Sequence, residues 1–276
     1  MICGAASATV GSGEAEPVSR NFDMKLILAF FPALAVLLAC STAQAQTPQA
    51  ALSGAIDKLR NTSSYAWTTC AELAGSPLET ASITGTADAS GFLIFKSAAG
   101  DGVAIARGKA RVLKTSSGWK TAGALGGGIN AAGLGLLAAQ TPPDEIAALV
   151  ARLNSIKLSG DGSFTGALDS DAAKSCLQAS VAIRPEPVGI APETRTASGK
   201  FQIWFKDGLP QKYTLTIRAD ISLPVGVMFM EYIATTEIKG VGSTKAEVPP
   251  AAREALEQQA RGRQSKSGPS ASGVNT

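Results

Sequence analysis

Apolar positions along the chain follow two periods, and the changes between them mark out its elements. Leu52, Ile56 and Leu59 recur at i, i+4 and i+7, which predicts a short amphipathic helix over 51–60, closed by Asn61-Thr62-Ser63-Ser64. The stretches Ser64–Ala71, Glu79–Ala87, Gly91–Ser97, Val103–Arg107 and Ala110–Thr115 are short and β-prone, with glycine or polar turns between them. Strands at such even spacing predict an antiparallel meander. From Thr121 to Gln140 the pattern lapses into Gly, Ala and Leu, with six glycines and almost no charge. Pro142-Pro143-Asp144-Glu145 then opens a second helix, since proline is tolerated in a first turn and acids favour its positive end. Ile146, Leu149, Val150 and Leu153 give it one apolar face. A third helical segment is predicted over Asp169–Gln178, and Arg184–Gly199, with three prolines and no period, reads as a surface loop. The clearest hairpin follows. Phe201, Ile203 and Phe205 alternate with polar residues, Asp207-Gly208-Leu209-Pro210 turns, and Tyr213, Leu215 and Ile217 alternate on the return. A further strand over Val227–Ile238 places Met228, Met230, Tyr232 and Ala234 on one face, and a short helix is expected over 251–259.

The beginning of the chain reads as an address. Lys25 and the apolar run Leu26–Ala39, broken by Pro32, lead to Ala43-Gln44-Ala45, an A-x-A cleavage site, so 24–45 is expected to be a secretory signal. The run is shorter than the roughly 20 residues a membrane-spanning helix needs. The polar leader 1–23 is expected to be a spurious extension ahead of a start at Met24. Leu37-Leu38-Ala39-Cys40 also resembles a bacterial lipobox, so lipidation at Cys40 and cleavage after Ala45 stand as alternatives. Export implies the periplasm or outer envelope, one domain over 46–259, and a disordered basic tail over 260–276. In an oxidising compartment Cys70 and Cys176 are expected to pair, the alternative being two buried free thiols.

Composition narrows the chemistry. The 276 residues are 45% hydrophobic and 17% charged and include no histidine, which removes Ser-His-Asp and Cys-His catalysis and every His-containing zinc site. A net charge of +3, thinly scattered, does not suit nucleic acid. Gly133-Leu134-Gly135-Leu136-Leu137-Ala138 matches a dinucleotide-binding pattern, but no buried strand precedes it, and chance in a Gly-Ala-Leu segment explains it better. Asp161-Gly162-Ser163 and Asp169-Ser170-Asp171 lack the spacing of a calcium loop and read as a turn and a helix cap. No catalytic residue, cofactor or metal is expected. Trp67, Trp119 and Trp204 are the large anchors, expected in the core.

Four stretches carry a resemblance to a known family. They are Gly108–Val112 with Ser117-Gly118-Trp119-Lys120, Phe164–Leu168 before Ala172-Ala173-Lys174, Phe201–Ile217 around Asp207–Tyr213, and Thr235–Gly242 with Val248-Pro249. In this order, over Ala50–Gln258, the chain resembles the LolA-type lipoprotein carriers and the related mycobacterial LppX-type lipoproteins. The resemblance implies an α+β fold: a curved antiparallel sheet forming an incomplete β-barrel, with helices packed on its concave face. It also implies a non-catalytic envelope protein that binds lipid, or the acyl chains of lipoproteins, in an apolar cavity. The expected lining is Phe201, Ile203, Phe205, Tyr213, Leu215, Ile217, Met228 and Met230, and the expected lid is the segment carrying Leu134, Leu136 and Leu137. The alternative is a structural or protein-interaction module of the envelope, its barrel filled by its own side chains and an envelope protein its partner. Membrane contact is expected only through an anchor at Cys40.

Overall fold

The computed structural model describes residues 47–74, 81–98, 102–125, 131–181, 193–223 and 226–266. The signal segment, Cys40, the leader 1–23 and the end of the basic tail lie outside the described residues. Helix α1 (Pro48–Arg60) starts at Thr47, whose hydroxyl accepts from the Ala50 N–H at 3.3 Å, and ends with Lys58 and Arg60 in its last turn. A run of strands follows: β1 (Tyr65–Ala74), β2 (Ala81–Ala87), β3 (Phe92–Ser97), β4 (Val103–Arg107), β5 (Ala110–Thr115) and β6 (Gly118–Thr121). Then come α2 (Ala131–Ala138), α3 (Pro142–Val150), β7 (Leu153–Leu158), β8 (Phe164–Leu168) and α4 (Ser170–Val181). The chain closes with β9 (Glu193–Lys206), β10 (Leu209–Leu223), β11 (Gly226–Lys239) and α5 (Pro250–Lys266).

Among the described residues, eleven strands form one antiparallel sheet in the order β6-β5-β4-β3-β2-β1-β11-β10-β9-β8-β7. Two meanders are thus zipped together by the β1–β11 pair, which runs from Ala66 opposite Lys239 to Ala74 opposite Glu231. The ends β6 and β7 do not meet in the ladder, so the sheet is an incomplete barrel, and the fold is α+β as expected.

Side-chain alternation gives the sheet two distinct faces. The inner face carries Tyr65, Trp67, Phe95, Leu113, Phe201, Ile203, Tyr213, Leu215 and Ile217, packed in one core with Leu52, Ile56 and Leu59 of α1, Ile146 and Leu149 of α3 and Leu177 of α4. Helix α1 lies on β10, α2 on β3–β5 and α4 on β8–β10. Helix α5 packs against β4–β6 on the outer face. There Val248, Ala252 and Leu256 bury Phe92, Ile94, Ile105 and Val112 in a second, smaller core.

Two glycine-dependent details hold the strands in place. Asp207 and Gly208 both have positive φ, 54° and 71°, so the β9–β10 hairpin turns on two residues rather than four, and Leu209 and Pro210 already belong to β10. Gly85 lies across from Trp67 in the β1–β2 ladder, and a Cβ there would stand 2.0 Å from the indole ring. The missing side chain is the space that the tryptophan occupies.

The structure corrects several expectations. Cys70 and Cys176 do not form a disulfide; Cys70 is exposed and Cys176 buried. Alternation explains it. Trp67 and Thr69 face inward, so Cys70 turns outward toward Ser82, while Cys176 reaches the inner face from α4. The expected loop over 184–199 gives way to strand from Glu193, where polar side chains conceal the period and the β10 ladder supplies the pairing. Strands β6 and β7 were not legible: β6 has four residues, and β7 is an edge strand with mostly exposed side chains. Helix α5 continues to Lys266, past the predicted end of order at 260.

Candidate functional site

A cavity of about 330 Å³ lies between the inner face and the helices, near the line where the two meanders join. Its floor is sheet: Trp67, Thr69 and Ala71 of β1, Ile83 of β2, Phe95 of β3, Leu215 of β10, and Tyr232 and Ala234 of β11. Every one of these sits at an inward position of its strand, so register alone brings together residues up to 167 positions apart. Trp67 meets Phe95 edge to face, their centroids 5.6 Å apart, which stiffens one end of the floor.

The roof comes from three helices. Gly135 and Ala138 of α2, Glu145, Ala148 and Leu149 of α3, and Cys176 and Ala179 of α4 line it, with Ala139, Gln140 and Arg152 between. These positions recur at i, i+3 and i+4, as one helical face requires. Small residues predominate in the roof, and they leave the space below it unfilled. Ala138, Gln140, Ala148, Arg152 and Ala179 are exposed and mark the mouth. The end of α2 is held from below by Arg111, whose guanidinium donates to the carbonyls of Leu137 (2.5 Å) and Ala139 (2.8 Å). That satisfies carbonyls which a helix C-terminus otherwise leaves without partners.

One acid enters this apolar wall. The Tyr213 hydroxyl donates to Glu145 Oε2 at 2.5 Å. Burial raises the Glu145 carboxyl above its ordinary value, and the Tyr213 hydrogen bond offsets part of that rise. Burial and the adjacent carboxylate raise the Tyr213 phenol far above its own. At the mouth, Arg152 donates to Ser175 Oγ at 3.3 Å and reaches Cys176 Sγ at 3.6 Å, linking the end of α3 to α4. Among the described residues no group of three His, Cys, Asp or Glu could hold a metal ion.

A second cavity, of about 400 Å³, lies on the outer face against Ile94, Val103, Ile105 and Trp119, with Lys96, Lys114 and Glu247 at its rim. It has sheet on one side and exposed charge on the other, whereas the inner cavity is walled by both layers.

Of the expected lining, Leu215 borders the inner cavity. Phe201, Ile203, Tyr213 and Ile217 are buried in the core beside it, under the helices. Phe205 and Met230 are partly buried against that core, and Met228 is exposed. Of the expected lid, Leu136 is buried and Leu137 partly buried against the core; the Leu134 side chain lies outside the described residues. The residues that sequence reasoning missed are the β1 wall and Glu145. A signal for Glu145 was present: it stands one helical turn before Leu149, on the same face, so an acid had to face the interior.

No family model matches the chain, and no curated protein matches it. Among solved structures, the crystal structure of a LolA superfamily protein from Nitrosomonas europaea aligns over 72% of this chain and 94% of its own, with 9% identity and a TM-score of 0.31. Likeness at that level leaves the question of ligand to the residues themselves.

Proposed function

We propose that this chain is an exported envelope protein that binds a lipid or a lipoprotein acyl chain, without catalysis, in the inner cavity. The observation that carries the reading is a mostly apolar space of about 330 Å³ between sheet and helices, its roof rich in alanine. Ligand pockets run from about 300 to 1,000 Å³ and are mostly apolar, so the space suits a single chain. Each methylene buried contributes about 0.8 kcal/mol. Arg152 at the mouth supplies a cation for an acidic headgroup, and Glu145 in the wall stays neutral more readily than an ordinary acid. Such a volume also exceeds what a few waters fill, which favours a carrier over a filled barrel. The signal at 24–45 supports export, and Cys40 remains the position for an anchor if lipidation prevails over cleavage.

Native mass spectrometry of gently purified protein should find an acyl species bound, and delipidated protein should take up a pyrene-labelled fatty acid. Ala148→Phe, at an exposed roof position, should fill the mouth and weaken uptake about tenfold with little change in stability. Protein that is always free of lipid and takes up no probe would sink the proposal.

A further inference from the structure

We propose that the Gly226–Met230 tip of strand β11 docks on a lipid bilayer and feeds acyl chains along β11 into the cavity, an inference that rests on the lipid-binding reading above. Strand β1 pairs with β11 only as far as Ala74, opposite Glu231. Beyond that pair, among the described residues, Gly226–Met230 are laddered to Ala219–Leu223 of β10 alone. At about 3.4 Å per residue, this part of the hairpin extends about 17 Å past the last β1 pair.

On β11 this stretch is apolar on both faces. Val227 and Phe229, 54% and 62% exposed, turn to the outer side, and Met228, 43% exposed, turns to the inner side. A strand in water ordinarily keeps one polar face, and exposed contiguous apolar surface marks an interaction site. A protein partner would cover one side of such a blade, whereas hydrocarbon surrounds both. Charge points the same way. No ionisable residue lies between Gly226 and Met230; across the ladder Asp220, opposite Phe229 on the outer face, accepts from the Thr196 hydroxyl at 2.7 Å, and Arg218 and Glu231 neutralise each other at 2.7 Å. The tip therefore offers insertion among acyl chains rather than attraction to anionic headgroups.

The same strand connects the tip to the cavity. Met228, Met230, Tyr232 and Ala234 occupy successive inward positions of β11; Met230 packs against the core, and Tyr232 and Ala234 are cavity wall. Tip and wall are separated by about 14 Å of strand, bridged by methionines whose flexible thioethers adapt to a passing chain.

Flotation of the protein with phosphatidylcholine vesicles tests the docking. Binding should be measurable, and raising the salt or adding phosphatidylserine should change it by less than about twofold. The double variant V227S/F229S should lose at least about tenfold in vesicle binding, because two exposed apolar anchors are gone. Neither residue lines the cavity, so uptake of pyrene-labelled fatty acid from solution should match the parent protein, while transfer from vesicles slows. Unchanged vesicle binding by the variant would overturn the docking. So would binding confined to anionic vesicles and abolished by salt, or a concentration-dependent dimer of the parent that explains the tip in place of vesicle binding. Vesicle binding by a protein that takes up no fatty acid at all would sustain the docking and overturn the cavity reading.

Discussion

In the β3–β6 region of the sheet both faces are covered, by α2 inside and α5 outside, whereas across β9–β11, among the described residues, only the inner face carries helices. The sequences differ accordingly. Phe92-Leu93-Ile94-Phe95 and Val103-Ala104-Ile105-Ala106 are apolar at every position, because each residue meets one core or the other. Strand β10 alternates instead: Tyr213, Leu215, Ile217 and Ala219 are buried, while Thr214, Thr216, Arg218 and Asp220 face out. The outer face of that region is knit by polar contacts, Thr214 with Thr235 at 3.2 Å and Arg218 with Glu231 at 2.7 Å. The contrast teaches that the number of covered faces can be read from the period, a continuous apolar run meaning two and an alternating one meaning one. The cavity lies on the inner face beside the junction of the two regions, where helices α2, α3 and α4 do not fill the space between them.

Placing a charge on the outer side of each region should break this comparison most sharply. Ala252→Asp buries an unpaired carboxylate in the outer core and should cost about 4 kcal/mol in chemical denaturation. Thr216→Lys, on the uncovered outer face of β10, should change stability by no more than about 0.5 kcal/mol. Equal losses would mean that the outer face of β9–β11 is covered after all.

The next effect concerns the cavity floor. Gly85→Ala drives a methyl group into the Trp67 ring and should cost about 3 kcal/mol. It should also change Trp67 fluorescence and reduce fatty-acid uptake, since the indole is part of the cavity wall. A stable variant with unaltered fluorescence would remove Trp67 from its assigned place.

The smallest effect is a pH dependence. The Glu145 carboxyl has a raised value in the folded protein, so the native state holds its proton where the unfolded chain has released it. Its contribution to stability is fully present below the ordinary value of 4.5 and is lost as pH rises from there through the raised folded value. Glu145→Gln keeps an acceptor for the Tyr213 hydroxyl and removes the ionisation. The variant should match the parent near pH 4 and exceed its Tm by about 2–4 °C above neutrality, the shift about 1 kcal/mol produces in a domain of this size. A gap that does not change with pH would show that the acid is solvated in the folded state.

Much of the fold was legible because it depends on local period and turn chemistry. Leu52, Ile56 and Leu59 announced α1, the alternation around Asp207-Gly208 announced the β9–β10 hairpin, and β4 and β5 begin and end where their turns predict. The proposal of export, too, rests on the residues alone, on the run Leu26–Ala39 and the Ala43-Gln44-Ala45 site. Strands β6, β7 and the start of β9 were not legible, because their own side chains bury little and backbone pairing to a neighbour holds them. The sites depended still more on tertiary structure. Which of two residues faces inward follows from parity along a strand, but which strand lies beside it follows from register between distant segments. Register set Thr69 against Thr236 and Trp67 over Gly85, while parity sent Cys70 to the face opposite Cys176. A cavity is the volume that packing leaves empty, so no residue encodes it alone. It exists here because small residues on three helices happen to face the same stretch of sheet.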